Sequence, residues 1–257
     1  MASQARPGIS ACIITLDEAD RIEPCLASLA FCDEIVVVDS GSTDGTTDIA
    51  TARGARVLSR AFDGYRSQKE FAVRAACHEY VLCLDADERV SAALRASIEQ
   101  ARNAGFPAAG YRFARATEYF GAFLRHGNAY PDRVMRLFDR RRGGFRGERE
   151  IHEHASVHGE VRTLGGDLEH RAYRSLSDQL VRLERYARLM AAHLHARGRR
   201  AHVYNIVFNP FWRFLRGYVL RAGFLDGWRG LVYAYVEANY VRQKFIKLWL
   251  LDRGQQL

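Results

Sequence analysis

The chain contains 257 residues, of which 48% are hydrophobic and 26% are charged. This composition predicts one large folded domain, or one domain with a substantial appendage, and it excludes global disorder. The start, "MASQARPGIS", lacks the apolar core of a secretory signal, and no uncharged apolar run approaches the roughly 18 residues of a membrane-spanning helix. The five cysteines form no C-x-x-C pair, so we expect reduced thiols in a cytoplasmic protein.

The net charge of +8 lies towards the C-terminal end of the chain. Residues 197–250 hold ten Lys and Arg against two acids, and the rest of the chain is neutral. The same segment contains all three tryptophans, Trp212, Trp228 and Trp249. The sequence therefore predicts a neutral domain that carries a basic, aromatic-rich C-terminal segment.

The first part of the chain alternates between short apolar runs and helical patterns. "ISACIITL" (Ile9–Leu16) and "EIVVVD" (Glu34–Asp39) are rich in β-branched residues and predict strands buried on both faces. Apolar residues between them recur at helical spacing, and Pro24 fits this helix only in its first turn. "DSGSTDGT" predicts a turn, with Thr43 or Asp44 as the N-cap of the helix that follows.

The same alternation continues to about residue 105. "ARVLSR" predicts a weaker strand, Ser67–Cys77 an amphipathic helix, and "EYVLCL" the next strand. Ser91 is the predicted cap of a helix that closes at Gly105. Strands that alternate with helices indicate an α/β fold with a mostly parallel sheet, helices on both of its faces and right-handed crossovers.

The pattern changes after about residue 106. Strand-like runs there mix with aromatic and Arg-rich loops, and "RTLGGDLEH" is the last of these runs. A long helix is predicted from Ser177, followed by two or more helices that break near Pro210 and at Gly223–Gly230. The sequence therefore predicts a helical C-terminal extension.

Three acids follow the apolar run in "YVLCLDADERV". Asp85, Asp87 and Glu88 stand at the end of a buried strand, where like charges repel and desolvation adds a further cost. A divalent cation between the carboxylates and a phosphate group would make the cluster tolerable. The alternative is a set of solvated loop acids that cap the next helix. Ligands of parallel sheets bind beyond the carboxyl ends of strands, where Asp39–Thr46 also lies, and this favours the cation.

Several motifs in combination resemble those of a known enzyme family. "ISACIITLDEADRIEPCLASL", "EIVVVDSGSTDGT" and "YVLCLDADE" resemble the family 2 glycosyltransferases, whose fold is the Rossmann-like GT-A fold. "YPDRVMRLF", "IHE", "GFLDG" and "KFIKLWL" resemble a narrower branch, the lipopolysaccharide core β-glucosyltransferases of the WaaE/KdtX type. The resemblance implies a GT-A domain over residues 1–175, with a nucleotide-binding half at about 8–105 and an acceptor half at about 106–175, and a basic helical extension over 176–257.

The resemblance also implies roles for residues at the strand ends. Asp87 would be the main ligand of Mg²⁺ or Mn²⁺, and Asp85 would contact the metal or the ribose. Independently of the resemblance, Lys69 in "YRSQKEF" is placed to reach the diphosphate or an acidic acceptor, although a solvated helix face fits its pattern equally well. Ser40 stands where many relatives have a second acid that contacts the base, and Asp17 stands where Asn is usual. The predicted donor-binding residues are Thr15, Glu18, Asp39, Ser40, Asp44, Lys69, Asp85, Ala86 and Asp87.

The resemblance implies inverting transfer from a nucleotide-diphosphate sugar, and this reaction requires a base that takes the proton of the acceptor hydroxyl. Glu153 is the first candidate because it matches the His-Glu motif of the branch, and Asp132 is the second. An ion pair with a nearby arginine is the structural alternative for Glu153. Arg133 and Arg136 are predicted to hold acceptor phosphates, since guanidinium groups bind phosphates through two hydrogen bonds. His152, next to Glu153, is also predicted to contact the acceptor.

Histidines recur in the segment that contains the first candidate base. Their spacing is H-x-H rather than the helical H-E-x-x-H pattern of zinc sites, and no cysteine is close in sequence. We therefore expect ordinary hydrogen-bonded or acceptor-contacting side chains, without zinc, at His152, His154, His158 and His170.

The basic C-terminal segment has three interpretations. A helix with a basic face and an aromatic edge lies in the headgroup layer of an anionic membrane, which suits an acceptor on a lipid anchor. Core helices with aromatic residues inward are one alternative. Single-stranded nucleic acid is the other, although we expect no nucleic acid as a partner.

Together with the carboxylate cluster, the resemblance implies a metal-dependent, inverting hexosyltransferase. It would move a sugar, with glucose as the first choice, from a UDP-sugar to the inner core of lipopolysaccharide. We expect the protein in the cytoplasm, associated peripherally with the inner membrane. Transfer to a polyprenyl phosphate or another envelope glycan is the alternative reaction, and a non-catalytic nucleotide- or nucleic-acid-binding protein is the alternative of another class.

Overall fold

The alternating apolar runs form strands and helices in a computed structural model that describes residues 6–146 and 154–256. Contacts divide these residues into two units. The first unit falls within Met1–Arg115 and Asp132–His170, and the second within Ala116–Pro131 and Arg171–Leu257. The domain boundary at residue 175 stays a prediction, but residues 116–131 group with the C-terminal helices rather than with the sheet.

The first unit has the α/β alternation that the sequence predicts, and the predicted fold class is confirmed. Ser91 caps the helix α4 (Ala92–Asn103) as expected, because its hydroxyl oxygen accepts a hydrogen bond from the backbone N–H of Leu94. The strand β6 (Gly110–Tyr119) begins in this unit and ends in the second. In chain order the elements are β1 (Ile9–Thr15), α1 (Ala19–Ser28), β2 (Glu34–Asp39), α2 (Thr46–Ala52), β3 (Arg56–Ser59), α3 (Tyr65–Ala75), β4 (Tyr80–Asp85), β5 (Glu88–Val90), α4 (Ala92–Asn103), β6 (Gly110–Tyr119), then β8 (Asp132–Asp139), β9 (Gly143–Arg146), β10 (His154–Val157) and β11 (Val161–His170).

The main sheet has the strand order β3-β2-β1-β4-β8-β6-β11-β5. Its first four strands are parallel, and strands that follow one another along the chain from β1 to β4 are joined through a helix. The strand β8 runs antiparallel to β4, and β6 runs antiparallel to β8. Of the strands after residue 106, β6, β8 and β11 therefore extend the parallel sheet, whereas β9 and β10 pair antiparallel in a separate two-stranded sheet.

The core lies on both faces of the parallel strands. Ile9, Ala11 and Ile13 of β1 join one apolar cluster, and Cys12 between them joins the other. This alternation follows from the pleat of a strand, whose side chains point to opposite faces in turn. The prediction that β1 and β2 are buried on both faces is confirmed.

Two local predictions about the first helices were wrong. Pro24 lies in the second turn of α1, because the helix already begins at Ala19. The N-cap of α2 is Gly45, whose φ of +92° is easy for glycine, rather than Thr43 or Asp44. The Asp44 carboxylate still accepts a hydrogen bond from the N–H of Thr46, the first helical residue, at 3.0 Å.

The second unit is mainly helical. Tyr119, Leu124 and Ala129 form a buried cluster against partly buried residues of its helices. None of the helices in the described part of the chain is long and apolar enough to span a bilayer. The elements are β7 (Ala122–Phe123), α5 (Leu176–Ala196), α6 (Val203–Phe214), a π-helical segment (Leu215–Leu220), a 3₁₀ turn (Gly223–Asp226) and α7 (Gly227–Leu251).

The helix breaks in the second unit were predicted only in part. The break at Gly223–Gly230 is confirmed, since a 3₁₀ turn there precedes α7. Pro210, in contrast, lies inside α6 and does not end it. The helix continues past Pro210 and changes to wider π-helical turns only at Leu215.

Candidate active site

The ends of three parallel strands meet at one edge of the sheet. The strand β1 ends at Thr15, which is paired in register with Asp39 at the end of β2. On the other side of β1, Asp85 at the end of β4 pairs with Ile14. The polar clusters that follow the three strands are thus neighbours, as the sequence predicts.

The turns after β1 and β2 are fastened to each other. Asp17 Oδ1 accepts a hydrogen bond from the N–H of Thr43 at 2.8 Å. Asp44 Oδ2 accepts one from the N–H of Ala19 at 2.9 Å. The hydroxyl of Thr46 and the N–H of Ala19 lower the pKa of Asp44 by hydrogen bonding to its charged form. Asp17 and Asp44 therefore fix the backbone of the two turns.

Asp39 is buried at the start of the second turn. Its Oδ2 accepts hydrogen bonds from the N–H groups of Gly41 and Ser42 at 2.9 and 2.8 Å. Gly41 has a φ of +101°, which lets the chain fold back over the carboxylate. The predicted donor residues Thr15, Asp39 and Ser40 are therefore close in space, while their contact with a donor stays a prediction.

Asp85 is paired with two cations. Its Oδ1 lies 3.0 Å from Lys69 Nζ and its Oδ2 lies 2.7 Å from Arg136 Nη2. Burial acts to raise the pKa of Asp85, but Arg136 and Lys69 outweigh this effect and hold the pKa well below its usual range. Lys69 is itself buried, so the alternative of a solvated helix face is wrong for it.

Glu88 extends this pairing into the sheet. Its fully buried side chain accepts hydrogen bonds from Arg136 at 2.7 Å and from Arg115 at 3.2 Å. Arg115 also donates two hydrogen bonds to Asp132 Oδ2, at 3.0 and 2.6 Å. Acids and bases therefore alternate along one row, which we call the charge row: Asp132, Arg115, Glu88, Arg136, Asp85 and Lys69.

Asp87 is held differently from the acids on either side of it. It lies between β4 and β5, and its Oδ2 is 3.6 Å from Arg21 Nη1 and 3.5 Å from His170 Nε2. Both distances are longer than an ordinary N–H···O hydrogen bond. His170 is the last residue of β11, and its partner in the ladder with β5 is Glu88. Pairing of these two short strand ends thus brings an imidazole beside the central acid of "DADE".

No local motif in the sequence marks His170. The sequence predicts it only as one of four hydrogen-bonded or acceptor-contacting histidines. The available signal was its position at the end of the strand-like run "RTLGGDLEH". Only the antiparallel pairing of β11 with β5 brings that end to Asp87.

Several buried polar atoms at this edge have no hydrogen-bond partner. In the described residues of the first unit they are Thr15 Oγ1, Arg21 Nη1, Gln68 Oε1, Arg136 Nε and His170 Nδ1. Gln68 also donates to Ser40 Oγ at 3.0 Å, just after β2. Buried polar groups are nearly always paired in folded proteins, so a local group of unpaired ones indicates a site for a polar ligand.

Asp87 and His170 are suitably arranged to share a divalent cation. One or two protein ligands are typical for Mg²⁺ or Mn²⁺ when substrate phosphates complete the coordination. Within residues 6–146 and 154–256, no group of three or more His, Cys, Asp or Glu is arranged to hold a metal ion. The residues present fit a cation that shares its coordination with a bound phosphate group.

The predicted acceptor residues are only partly within the described chain. Glu153 and His152 lie outside the described residues. Arg133 is exposed on β8, whereas Arg136 is buried in the charge row. Asp132 is partly exposed and hydrogen-bonded to Arg115. The roles of these residues towards an acceptor stay predictions.

The chain is similar to proteins of one glycosyltransferase family. The sequence profile of glycosyl transferase family 2 matches residues 10–156. The lipopolysaccharide core biosynthesis glycosyltransferase LpsC of Rhizobium meliloti is 31% identical over 249 residues, which cover 92% of each chain. An uncharacterized glycosyltransferase of Rickettsia felis is 28% identical over 241 residues, which cover 87% of this chain and 83% of the relative.

A solved structure has a similar fold along nearly the whole chain. The mannosyltransferase PcManGT of Pyrobaculum calidifontis, in complex with GDP-Man and Mn²⁺, superposes with a TM-score of 0.56 at 18% identity. The similarity covers 97% of this chain and 89% of that enzyme. The GT-A fold expected from the sequence is confirmed by this likeness.

Proposed function

The chain belongs to glycosyl transferase family 2, and we propose that it moves glucose from UDP-glucose to the inner core of lipopolysaccharide. Family membership supports transferase activity. LpsC, which is named for lipopolysaccharide core biosynthesis, supports the acceptor class, since it is similar over 92% of the chain. The choice of glucose, of UDP and of inversion at the anomeric carbon is part of the proposal.

One observation carries the proposal: Asp87 Oδ2 and His170 Nε2 lie 3.5 Å apart, among buried polar atoms that have no hydrogen-bond partner. The charge row neutralises Asp85 and Glu88, so the remaining acid of "DADE" is the one available to a ligand-bound cation. A divalent cation bound there would stabilise the negative charge that develops on the leaving diphosphate. The Pyrobaculum enzyme was solved with a nucleotide sugar and Mn²⁺.

The chain's own residues account for the other requirements of the reaction. The acceptor oxygen forms a bond to the anomeric carbon while the bond from that carbon to the diphosphate breaks on the opposite face. The acceptor proton goes to a carboxylate, with Glu153 as the first choice and Asp132 as the second. Asp132 Oδ2 is held by two hydrogen bonds from Arg115, which fixes the orientation of the carboxylate.

The proposed acceptor is lipid-linked, so the enzyme is proposed to work at the cytoplasmic face of the inner membrane as a peripheral protein. Transfer to a polyprenyl phosphate is the alternative reaction, because that acceptor is also lipid-linked and lies at the same membrane surface. The two differ in the acceptor hydroxyl or phosphate that is consumed, and an assay with both acceptors separates them.

The test is nucleotide release from a panel of donors with purified core lipid as acceptor. We expect turnover with UDP-glucose that requires Mg²⁺ or Mn²⁺ and that stops when a chelator is added. The variant Asp87→Asn should lose roughly 100-fold or more of the turnover, since metal stabilisation of a leaving group contributes several kcal/mol. The matched control is Asp48→Asn, which changes an exposed acid on α2.

Two results would overturn the proposal. Full activity of Asp87→Asn would show that this acid is not part of the active site. Turnover that is unaffected by chelation would show that the reaction does not use a divalent cation.

A further inference from the structure

The outward face of α6 is apolar. Six of its residues recur at spacings of three and four along one side of the helix, and each is between 55% and 64% exposed. A soluble helix normally turns such a face to the core and leaves its polar face in water. The interpretation in which aromatic side chains point inward is therefore wrong for α6. The residues are Val203, Tyr204, Val207, Phe208, Phe211 and Trp212.

Exposed apolar residues continue along the chain after α6. Large side chains in the π-helical segment, in the 3₁₀ turn and at the start of α7 are each about half or more exposed: Val219, Leu220, Phe224, Leu225 and Trp228. We call these residues, together with the outward face of α6, the apolar stripe. An exposed apolar surface of this extent on one segment marks an interaction site.

The segment that carries the apolar stripe is basic. No Asp or Glu occurs between Glu184 and Asp226, and Asp226 itself is largely buried and paired with His126. Exposed arginines precede α6 and follow it, at positions Arg197, Arg199, Arg200, Arg216 and Arg221. The partner of this segment must therefore accept apolar side chains and carry negative charge.

An anionic lipid bilayer has both properties. Aromatic rings are favoured at the level of the headgroups, and each arginine near an anionic surface adds to the attraction. Single-stranded nucleic acid would stack on the aromatic rings but leave Val203, Val207 and Leu220 without a partner. A second copy of this chain would bring two basic segments together across a symmetric interface, which like charges oppose.

We propose that the apolar stripe docks on an anionic membrane, with α6 lying along the surface and its aromatic rings in the headgroup layer. This inference rests on the proposed function in so far as a lipid-linked acceptor gives the docking a purpose. It goes further by assigning the contact to one face of one helix and to the turns that follow.

The test is co-sedimentation of the full-length protein with lipid vesicles. One set of vesicles contains phosphatidylcholine alone, and the other also contains phosphatidylglycerol. We expect binding to the anionic vesicles that weakens as salt is raised, because exposed charges are screened. The double variant Phe208→Ser/Phe211→Ser should bind at least about tenfold more weakly, since two aromatic side chains would no longer be buried in the headgroup layer.

The control is Val181→Ser, which removes an apolar side chain that is 70% exposed on α5. It should bind vesicles as the unchanged protein does. All the substituted side chains are exposed, so circular dichroism and the thermal midpoint should stay constant and show that the variants fold.

The outcomes also separate docking from catalysis. Asp87→Asn should bind vesicles normally, while the double Phe variant should keep its activity on detergent-dispersed acceptor. Equal binding of the double variant and the unchanged protein overturns the proposal, as does equal binding to neutral and anionic vesicles. Conversion of a dimer to a monomer by the double variant, without loss of vesicle binding, also overturns it and assigns the stripe to self-association.

Discussion

The carboxylate cluster is stable at the end of a buried strand because two of its acids, Asp85 and Glu88, are paired with cations. Glu88 is fully buried, and removing either cation from such a pair typically costs about 3–5 kcal/mol. Arg115 and Arg136 therefore offset the desolvation cost of burying Glu88. Asp85 is paired with Lys69 as its second partner. In the spacing D-x-D-E, two acids paired with cations thus flank Asp87, the acid that we propose for the ligand-bound cation.

Glu34 illustrates how a single carboxylate makes stability depend on pH. It accepts hydrogen bonds from Ser10 Oγ at 2.5 Å, from the N–H of Cys77 at 2.7 Å and from Arg56 at 2.7 Å. Burial acts to raise the pKa of Glu34, but these hydrogen bonds outweigh it and lower the pKa from 4.5 to about 2. The stabilisation is therefore fully present above pH 4.5 and is lost as the pH falls towards 2.

We expect Glu34→Gln to lower the urea midpoint of unfolding near neutral pH and to reduce the dependence of that midpoint on pH below 4.5. The reason is that the variant has no proton to bind at this position in either state. Urea titrations at several pH values measure both effects. Glu99→Gln is the control, since its pair with Arg95 is exposed and contributes little. Parallel pH profiles for Glu34→Gln and the unchanged protein would contradict the prediction.

At the scale of elements, the position of His170 depends on how β11 packs against α4. The N–H of Ser91 donates to the carbonyl of Asp167, and Ser91 Oγ accepts from the N–H of Asp167, both at 3.2 Å. Gly166 lies next to this contact with a φ of +85°. A Cβ at Gly166 would be 2.2 Å from the backbone nitrogen of Leu94, so only glycine lets the strand approach the helix this closely.

We expect Gly166→Ala to lower the free energy of unfolding by about 2–5 kcal/mol, from overpacking of about 1–3 and a left-handed backbone of about 1–2 kcal/mol. Gly165→Ala is a matched control, because its Cβ would meet only Ser97 Oγ, at 3.6 Å. Thermal unfolding of both variants measures the difference. If displaced β11 also moves His170 from Asp87, Gly166→Ala will need more Mn²⁺ for half-maximal turnover. Equal thermal midpoints for the two variants would contradict the prediction, because they would show that β11 accommodates the added methyl group without a loss of stability.

For the molecule as a whole, the sequence predicts what depends on local patterns and misses what depends on distant pairing. Apart from the short strand β5 and the N-cap of α2, the strands and helices up to residue 105 follow from period and caps, and so does the meeting of Thr15, Asp39 and Asp85 at one edge. The approach of His170 to Asp87 requires β11 to pair with β5, and no local pattern specifies that partner. The spacing of apolar residues likewise predicts an apolar face on α6, but it does not determine whether that face is buried or exposed to solvent.

The grouping of residues 116–131 is another property that only the whole chain determines. Tyr119 donates a hydrogen bond to Gln179 Oε1 at 2.7 Å, and both side chains are buried. Leu124 is fully buried in a cluster that includes Tyr233 of α7. This segment therefore depends on helices that follow the predicted boundary at residue 175.

We expect a fragment of residues 1–175 to aggregate or to bind a hydrophobic dye, because it keeps Tyr119 and Leu124 without their helices. A matched fragment of residues 1–170 would replace residues 116–131 by Asn-Gly. Arg115 and Asp132 are partners in the β6–β8 ladder, so a two-residue turn joins them in register. This second fragment should be soluble and unfold in one cooperative transition, as judged by light scattering and calorimetry. If the first fragment unfolds as cooperatively as the second, residues 116–131 do not need α5 and α7, and the predicted boundary at residue 175 stands.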